Sequence, residues 1–239
     1  MLGEHVFLVA ISTVIAAGIG VPLGVFAARR PRLATPFVAV ANVVQTIPSL
    51  AMFGFLLPVP LLGGVGARAA VVALVFYALL PIVRSTIVGI TSISASIRDV
   101  GVAMGMRSRD MLWQIELQLA TPSIVGGIRV AAVIGVGSAT IAAAIGAGGL
   151  GQYTYSGLSM VDSTVILAGA IPAAVLALVV DGALVWLEQR LSTRQRTSPR
   201  RRVAALATLL IVIAVLGTVS VRAHGASTIV FGSRNFAGK

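Results

Sequence analysis

Apolar runs of about 20 residues, the length a helix needs to cross bilayer hydrocarbon, recur along this chain with charge held near their ends. That pattern constrains the fold more than any other feature. In hydrocarbon a segment must satisfy its own backbone N–H and C=O groups, so only helices and closed barrels can span. The alternating apolar and polar positions of a membrane barrel are absent. Spans are expected at 6–28, 36–58, 69–93, 122–145, 163–187 and 203–222. The first lacks a basic leading segment and is longer than a signal core, so it reads as a membrane helix. Composition agrees, with 57% hydrophobic and 10% charged residues where soluble domains carry roughly 25% charged. Cysteine is absent, which excludes disulfides and thiolate chemistry, and the two histidines, His5 and His224, lie too far apart in sequence to read as a metal cluster.

Arginine sets the expected orientation. Arg29, Arg30 and Arg32 follow the first span, and Arg98, Arg107 and Arg109 the third. Arg190, Arg194, Arg196, Arg200, Arg201 and Arg202 follow the fifth. Basic residues stay cytoplasmic, which places the amino terminus and the carboxy-terminal tail outside. The net charge of +11 then reflects topology and attraction to anionic lipid rather than nucleic-acid binding. The chain divides into a bundle over 1–190, a basic cytoplasmic linker over 191–202, an appended helix over 203–222 and an outward tail over 223–239. In that tail Thr228–Phe231 carries a short strand signal.

Between the third and fourth spans lies the stretch Ser94–Thr121, with Asp99, Asp110 and Glu116, three of the seven acidic residues. Apolar Ile97, Val100, Ala103, Met104 and Leu112 recur at roughly helical spacing. Gly101 and Gly105 lie one turn apart and let another surface approach closely, while Met104 and Met106 are flexible apolar plugs. Two readings fit: a docking helix for a soluble partner, or an amphipathic helix resting on lipid headgroups.

The segment resembles the cytoplasmic coupling loop of permease subunits of binding-protein-dependent ABC importers, whose pattern is Glu-Ala-Ala, three residues, Gly, nine residues, Ile-x-Leu-Pro. Here it reads Asp99-Val100-Gly101, Gly105, then Ile115-Glu116-Leu117-Gln118. The acid is shortened, both alanines differ and Gln118 replaces the proline. Five further blocks are similar to the osmoprotectant (glycine betaine, choline, carnitine) branch: Gln45–Ala51, Tyr77–Arg84, Met104–Met106, Gly127–Arg129 and Ile145–Gly151. The likeness spans about residues 6–190, and Ile229–Phe236 looks like the opening strand of quaternary-amine binding proteins. The resemblance implies that an ABC ATPase docks on Ile97, Asp99, Gly101, Met104, Gly105, Met106, Ile115, Glu116 and Leu117.

The same blocks carry physics of their own. Pro48 and Pro81 remove backbone donors within apolar spans, and broken backbone at that depth persists where it packs on protein or lines a cavity. Gln45, Thr46, Ser49, Ser85 and Thr86 stand beside those prolines and can satisfy freed groups. They line a translocation path on one reading and make ordinary interhelical hydrogen bonds on the other. Arg84 and Arg129 are charges within spans, which calls for a partner or a wet cavity. Asp181 is one partner for Arg84 and carbonyls near Pro81 another, while Arg129 can snorkel to the cytoplasmic face. Both are assigned to a gate or a structural role. The run Ile145–Gly151 lacks the strand before it and the Lys-Ser/Thr ending of a phosphate loop. It reads as an outer turn in which Gly146, Gly148, Gly149 and Gly151 supply positive φ, with Tyr153 and Tyr155 as interfacial anchors on one reading and a cation–π site for a trimethylammonium group on the other.

No nucleotide loop, metal cluster or nucleophile–base set appears, so the chain is expected to be a transport subunit that binds no cofactor of its own. The expected fold class is all-α: a polytopic transmembrane helix bundle with a five-helix type I ABC importer permease core and one extra carboxy-terminal transmembrane helix. The implied partners are an ABC ATPase subunit holding ATP and Mg, a substrate-binding protein or fused binding domain, and a second permease copy in a homodimer. An importer of another solute, such as an amino acid, keeps this mechanism. An ion-coupled secondary transporter is the rival from another class, and it calls for intramembrane carboxylates, of which Asp181 is the one available.

Overall fold

The computed structural model describes residues 1–59 and 64–191. The expectations for 203–222, 223–239 and the linker from 192 onward lie outside the described residues. The described chain is helical: α1 (Leu2–Arg29), α2 (Pro31–Thr46), α3 (Ser49–Leu56), α4 (Ala67–Thr91), α5 (Ala95–Ala103), α6 (Ser108–Met111), α7 (Leu117–Ala142), α8 (Gly151–Met160) and α9 (Ser163–Leu191). A π turn, Leu112–Glu116, joins α6 to α7.

Among the described residues, four helical stretches are long and apolar enough to cross a membrane: Leu2–Arg29, Ala67–Thr91, Ser108–Ile145 and Ser163–Arg190. The expected second span is not one rod. Its helix stops at Thr46, and Val38–Thr46 and Ser49–Leu56 meet at 98°. Pro48 explains the stop, because a residue before proline is driven out of the helical region, and Ile47 is extended with φ −71° and ψ 123°. Pro81 behaves otherwise, and α4 runs through it without a break. The span expected to open at residue 122 begins earlier, since the helix is already formed through α6 and the π turn.

The closest contacts between helices of the bundle are made at small residues. Lipid offers no hydrophobic drive for helices to associate, so dispersion contact at close range must hold them. Gly20 and Gly24 of α1 lie against Ile82 and Thr86 of α4, and Gly89 of α4 against Ala120 and Ser123 of α7. Gly127 of α7 lies against Ser85 and the Pro81 carbonyl. At the opposite end of α4 from Thr91, the broken pair inserts fully buried Phe53 beside Leu8, Leu74 and Val136. Helix α9 packs on α7 and α8 and exposes Val175, Val179 and Trp186. Its start is fixed by the Asp162 carboxylate, which accepts from the Thr164 N–H at 2.8 Å as a helix cap.

Candidate functional site

The charged end of the bundle brings together the carboxy termini of α1 and α4, helices α5 and α6 and the π turn. The expected single loop helix is two pieces, α5 and α6, parted at Gly105, whose φ of +77° is left-handed. Nothing lies within 4 Å of a Cβ built at Gly105, so backbone freedom and not close packing is what that glycine supplies. Gly101 is the opposite case. It is the buried residue of α5, and a side chain there would run into the Met111 thioether.

Much of α5 is open. Ile97, Val100, Val102 and Met104 are exposed, Met104 by 76%, and Asp99 is exposed with them. Ser96, Ile97, Val100, Gly101, Met104 and Ile115 line a shallow apolar groove of about 310 Å³. Met106 is half-buried and its sulfur lies near Gly101, while Leu117 is half-buried at the first turn of α7.

Glu116 corrects the expectation of an outward contact. It is 5% exposed and faces inward, because two guanidiniums meet it there. Arg29 from the end of α1 donates to Oε2 at 3.0 Å, and Arg98 from α5 donates to Oε1 at 3.0 Å. Each arginine also holds a main-chain oxygen at 2.8 Å, Arg29 that of Ser108 and Arg98 that of Ile90. The sequence gives no local signal for this cluster, since its members are 18 and 87 residues apart.

The proline breaks are joined to one another. Pro81 has no N–H for the Tyr77 carbonyl one turn earlier, and the Gln45 side-chain amide donates to that carbonyl at 3.3 Å. The Tyr77 hydroxyl in turn donates to the carbonyl of Ile47, the extended residue before Pro48. Thr46 instead bonds back to Val43 in its own helix. Ser49 is half-buried in the first turn of α3. Ser85 is half-buried under Gly127, and its carbonyl accepts from Ser123 at 2.8 Å.

The two intramembrane arginines part company. Arg129 points to α9, with Nε 3.6 Å from Asp181 and a terminal nitrogen 3.6 Å from Glu188. The alternative of an Arg84–Asp181 pair is thereby corrected: residues 129, 181 and 188 lie on facing sides of two adjacent helices, and Arg84 is on α4. Arg84 is exposed and forms no ion pair among the described residues.

At the far end, Gly146, Gly148 and Gly149 have φ of +76°, +83° and +80°. Gly151 does not; it opens α8 against the Thr140 carbonyl, where no side chain fits. Glu4 accepts from the Gly149 N–H at 3.2 Å, and the buried His5 ring nitrogen Nε2 lies 3.1 Å from the Val136 carbonyl. Sequence reading missed this clamp, because neither residue carries a motif. Tyr153 and Tyr155 follow on α8 and are exposed. No group of three or more His, Cys, Asp or Glu that could hold a metal occurs among the described residues.

The chain is similar to known transport proteins. The chain is 43% identical over 190 residues to the osmoprotectant import permease protein OsmW of Salmonella typhimurium, covering 79% of this chain and 86% of that protein. It is 42% identical over 190 residues to the carnitine transport permease protein OpuCD of Listeria monocytogenes, with 79% and 84% covered. To the choline transport system permease protein OpuBB of Bacillus subtilis it is 38% identical over 189 residues, with 79% and 86% covered. The fold is similar to a solved inward-facing MetNI methionine ABC transporter, with a TM-score of 0.71 at 23% identity, covering 79% of this chain and 93% of that one. A family model described as the binding-protein-dependent transport system inner membrane component matches residues 20–193. The chain therefore belongs to the family of inner membrane components of binding-protein-dependent transport systems.

Proposed function

We propose that this chain is the permease subunit of an ATP-driven importer that moves quaternary ammonium osmoprotectants, of the glycine betaine, choline and carnitine kind, into the cell. The observation that carries the reading is α5: a short helix beyond the apolar spans, apolar on its open side, at the end where arginine gathers. A soluble ATPase holding ATP and Mg docks there, and Ile97, Val100 and Met104 supply its apolar contact. The relatives named for osmoprotectant, carnitine and choline transport support the cargo. The positive-inside rule puts the α5 end in the cytoplasm and the amino terminus outside, so the Gly146–Gly151 turn faces a substrate-binding protein or fused binding domain. A second copy completes the pore. Arg84 fits that arrangement, because a charge left exposed on α4 calls for water or a protein partner at membrane depth. The path itself passes Gln45, Thr46, Pro48, Ser49, Pro81 and Ser85, and Arg129 braces α9 against it.

The test is uptake of radiolabelled glycine betaine, choline and carnitine into proteoliposomes holding this chain with its ATPase and binding protein. Uptake that needs ATP, and that Met104→Glu abolishes together with ATPase co-purification, is the expected result. Accumulation by this chain alone under a sodium or proton gradient would overturn the proposal in favour of a secondary transporter.

A further inference from the structure

We infer that Glu116 is a positioning residue that makes α5 mechanically continuous with α1 and α7, so that displacement of α5 by an ATPase reaches the bundle. The inference rests on the reading proposed above. It starts from how little else holds α5. Gly101 is the residue that α5 buries, and it rests on the side chains of Met111 and Met106, flexible thioethers that yield under load. The exposed left-handed turn at Gly105 joins α5 to α6 with no packing of its own. An element held only in this way would swivel when pushed.

The Glu116 carboxylate supplies the stiff connection. Both of its oxygens are taken, by Arg98 of α5 and Arg29 of α1, each at 3.0 Å. Both arginines continue the tie to backbone, at Ile90 near the end of α4 and at Ser108 in α6. The carboxylate thus joins α1 and α5 to the root of α7, and its two arginines extend the tie to α6 and α4. Glu116 is 5% exposed, and a buried carboxylate does not release its cations readily. It also ends a π turn, a rare element found often at functional sites. The cluster borders a cleft of about 450 Å³ between α1, α5 and α6, so ion pairs stand where direct helix packing is missing.

The experiment uses the complete complex of permease, ATPase and binding protein in proteoliposomes, and measures solute moved per ATP hydrolysed. Glu116→Gln and Arg98→Gln are compared with wild type; the second keeps the Arg29–Glu116 pair and so the fold of the root. Both should retain ATPase co-purification while solute moved per ATP falls about fivefold or more, the low end of measured couplings between sites. Arg98→Lys, which restores the charge, should recover most of that loss. Unchanged solute per ATP in Arg98→Gln, or loss of transport in proportion to loss of bound ATPase, would overturn the inference. Wild-type complex without ATP-dependent uptake would instead remove the proposed function, and the inference with it.

Discussion

Gly127→Ala tests whether close backbone approach holds this bundle together. A Cβ built at Gly127 falls 2.5 Å from the Ser85 Cβ and 2.8 Å from the Pro81 carbonyl oxygen. Ordinary contact begins at 3.4 Å, so α4 and α7 must part by about 1 Å or shift sideways, and neither obstacle is the movable tip of a long side chain. Overpacking of this kind costs about 1–3 kcal/mol. Parting the helices also stretches the 2.8 Å bond from Ser123 to the Ser85 carbonyl, worth about 0.6 kcal/mol in a membrane protein. Alanine returns about 0.5–1 kcal/mol through its better helix propensity. The net expected loss is about 1–3 kcal/mol. Gly126, one residue earlier, is the matched control: nothing lies within 4 Å of its built Cβ, so Gly126→Ala should be neutral or stabilising by about 0.5 kcal/mol. Equilibrium unfolding in mixed micelles, followed by circular dichroism, compares the two. If they lie within about 0.5 kcal/mol of each other, the spread expected of substitutions away from such contacts, the small-residue account of the α4–α7 contact is wrong.

Gln45→Leu and Tyr77→Phe each strip one carbonyl of its side-chain partner and should cost about 1–2 kcal/mol. Because both act on one joint, their double-mutant cycle should show a coupling above about 0.5 kcal/mol by the same unfolding measurement. Gly149→Ala places a side chain at φ +80° against His5 and should cost about 1–2 kcal/mol from the backbone alone, where Gly137→Ala, in open space, should not. Arg129→Gln breaks two pairs at 3.6 Å and leaves the Asp181 and Glu188 carboxylates without their cation within apolar spans, so it should cost more than the roughly 1 kcal/mol of a water-exposed pair, read as the gap between variant and wild-type unfolding midpoints.

What was legible in the sequence follows from which forces leave a one-dimensional trace. Partition into lipid depends on composition in a window, so the apolar runs of α1, α4, α7 and α9 stood out. Pro48 marked a true break and Pro81 did not: Ile47 before Pro48 is driven to extended backbone, while α4 runs on through Pro81 with its freed Tyr77 carbonyl taken by a side chain. That side chain is Gln45, 32 residues away. The glycines divide in the same way. The three in Ile145–Gly151 with positive φ are legible because their clustering is itself the signal. Gly24, Gly89 and Gly127 matter through what presses on them from another helix, and they look no different in sequence from Gly18 or Gly126, which meet nothing. Charge was hardest. An acid in a polar loop reads as solvated, yet Glu116 is buried by two arginines that chain order keeps far from it. Arg129 rather than Arg84 takes Asp181, because α9 packs on α7 and that adjacency has no local code. Composition told which segments are apolar enough to enter the membrane; three-dimensional neighbourhood decided that Arg29, Arg98 and Arg129 pair across helices while Arg84 on α4 does not.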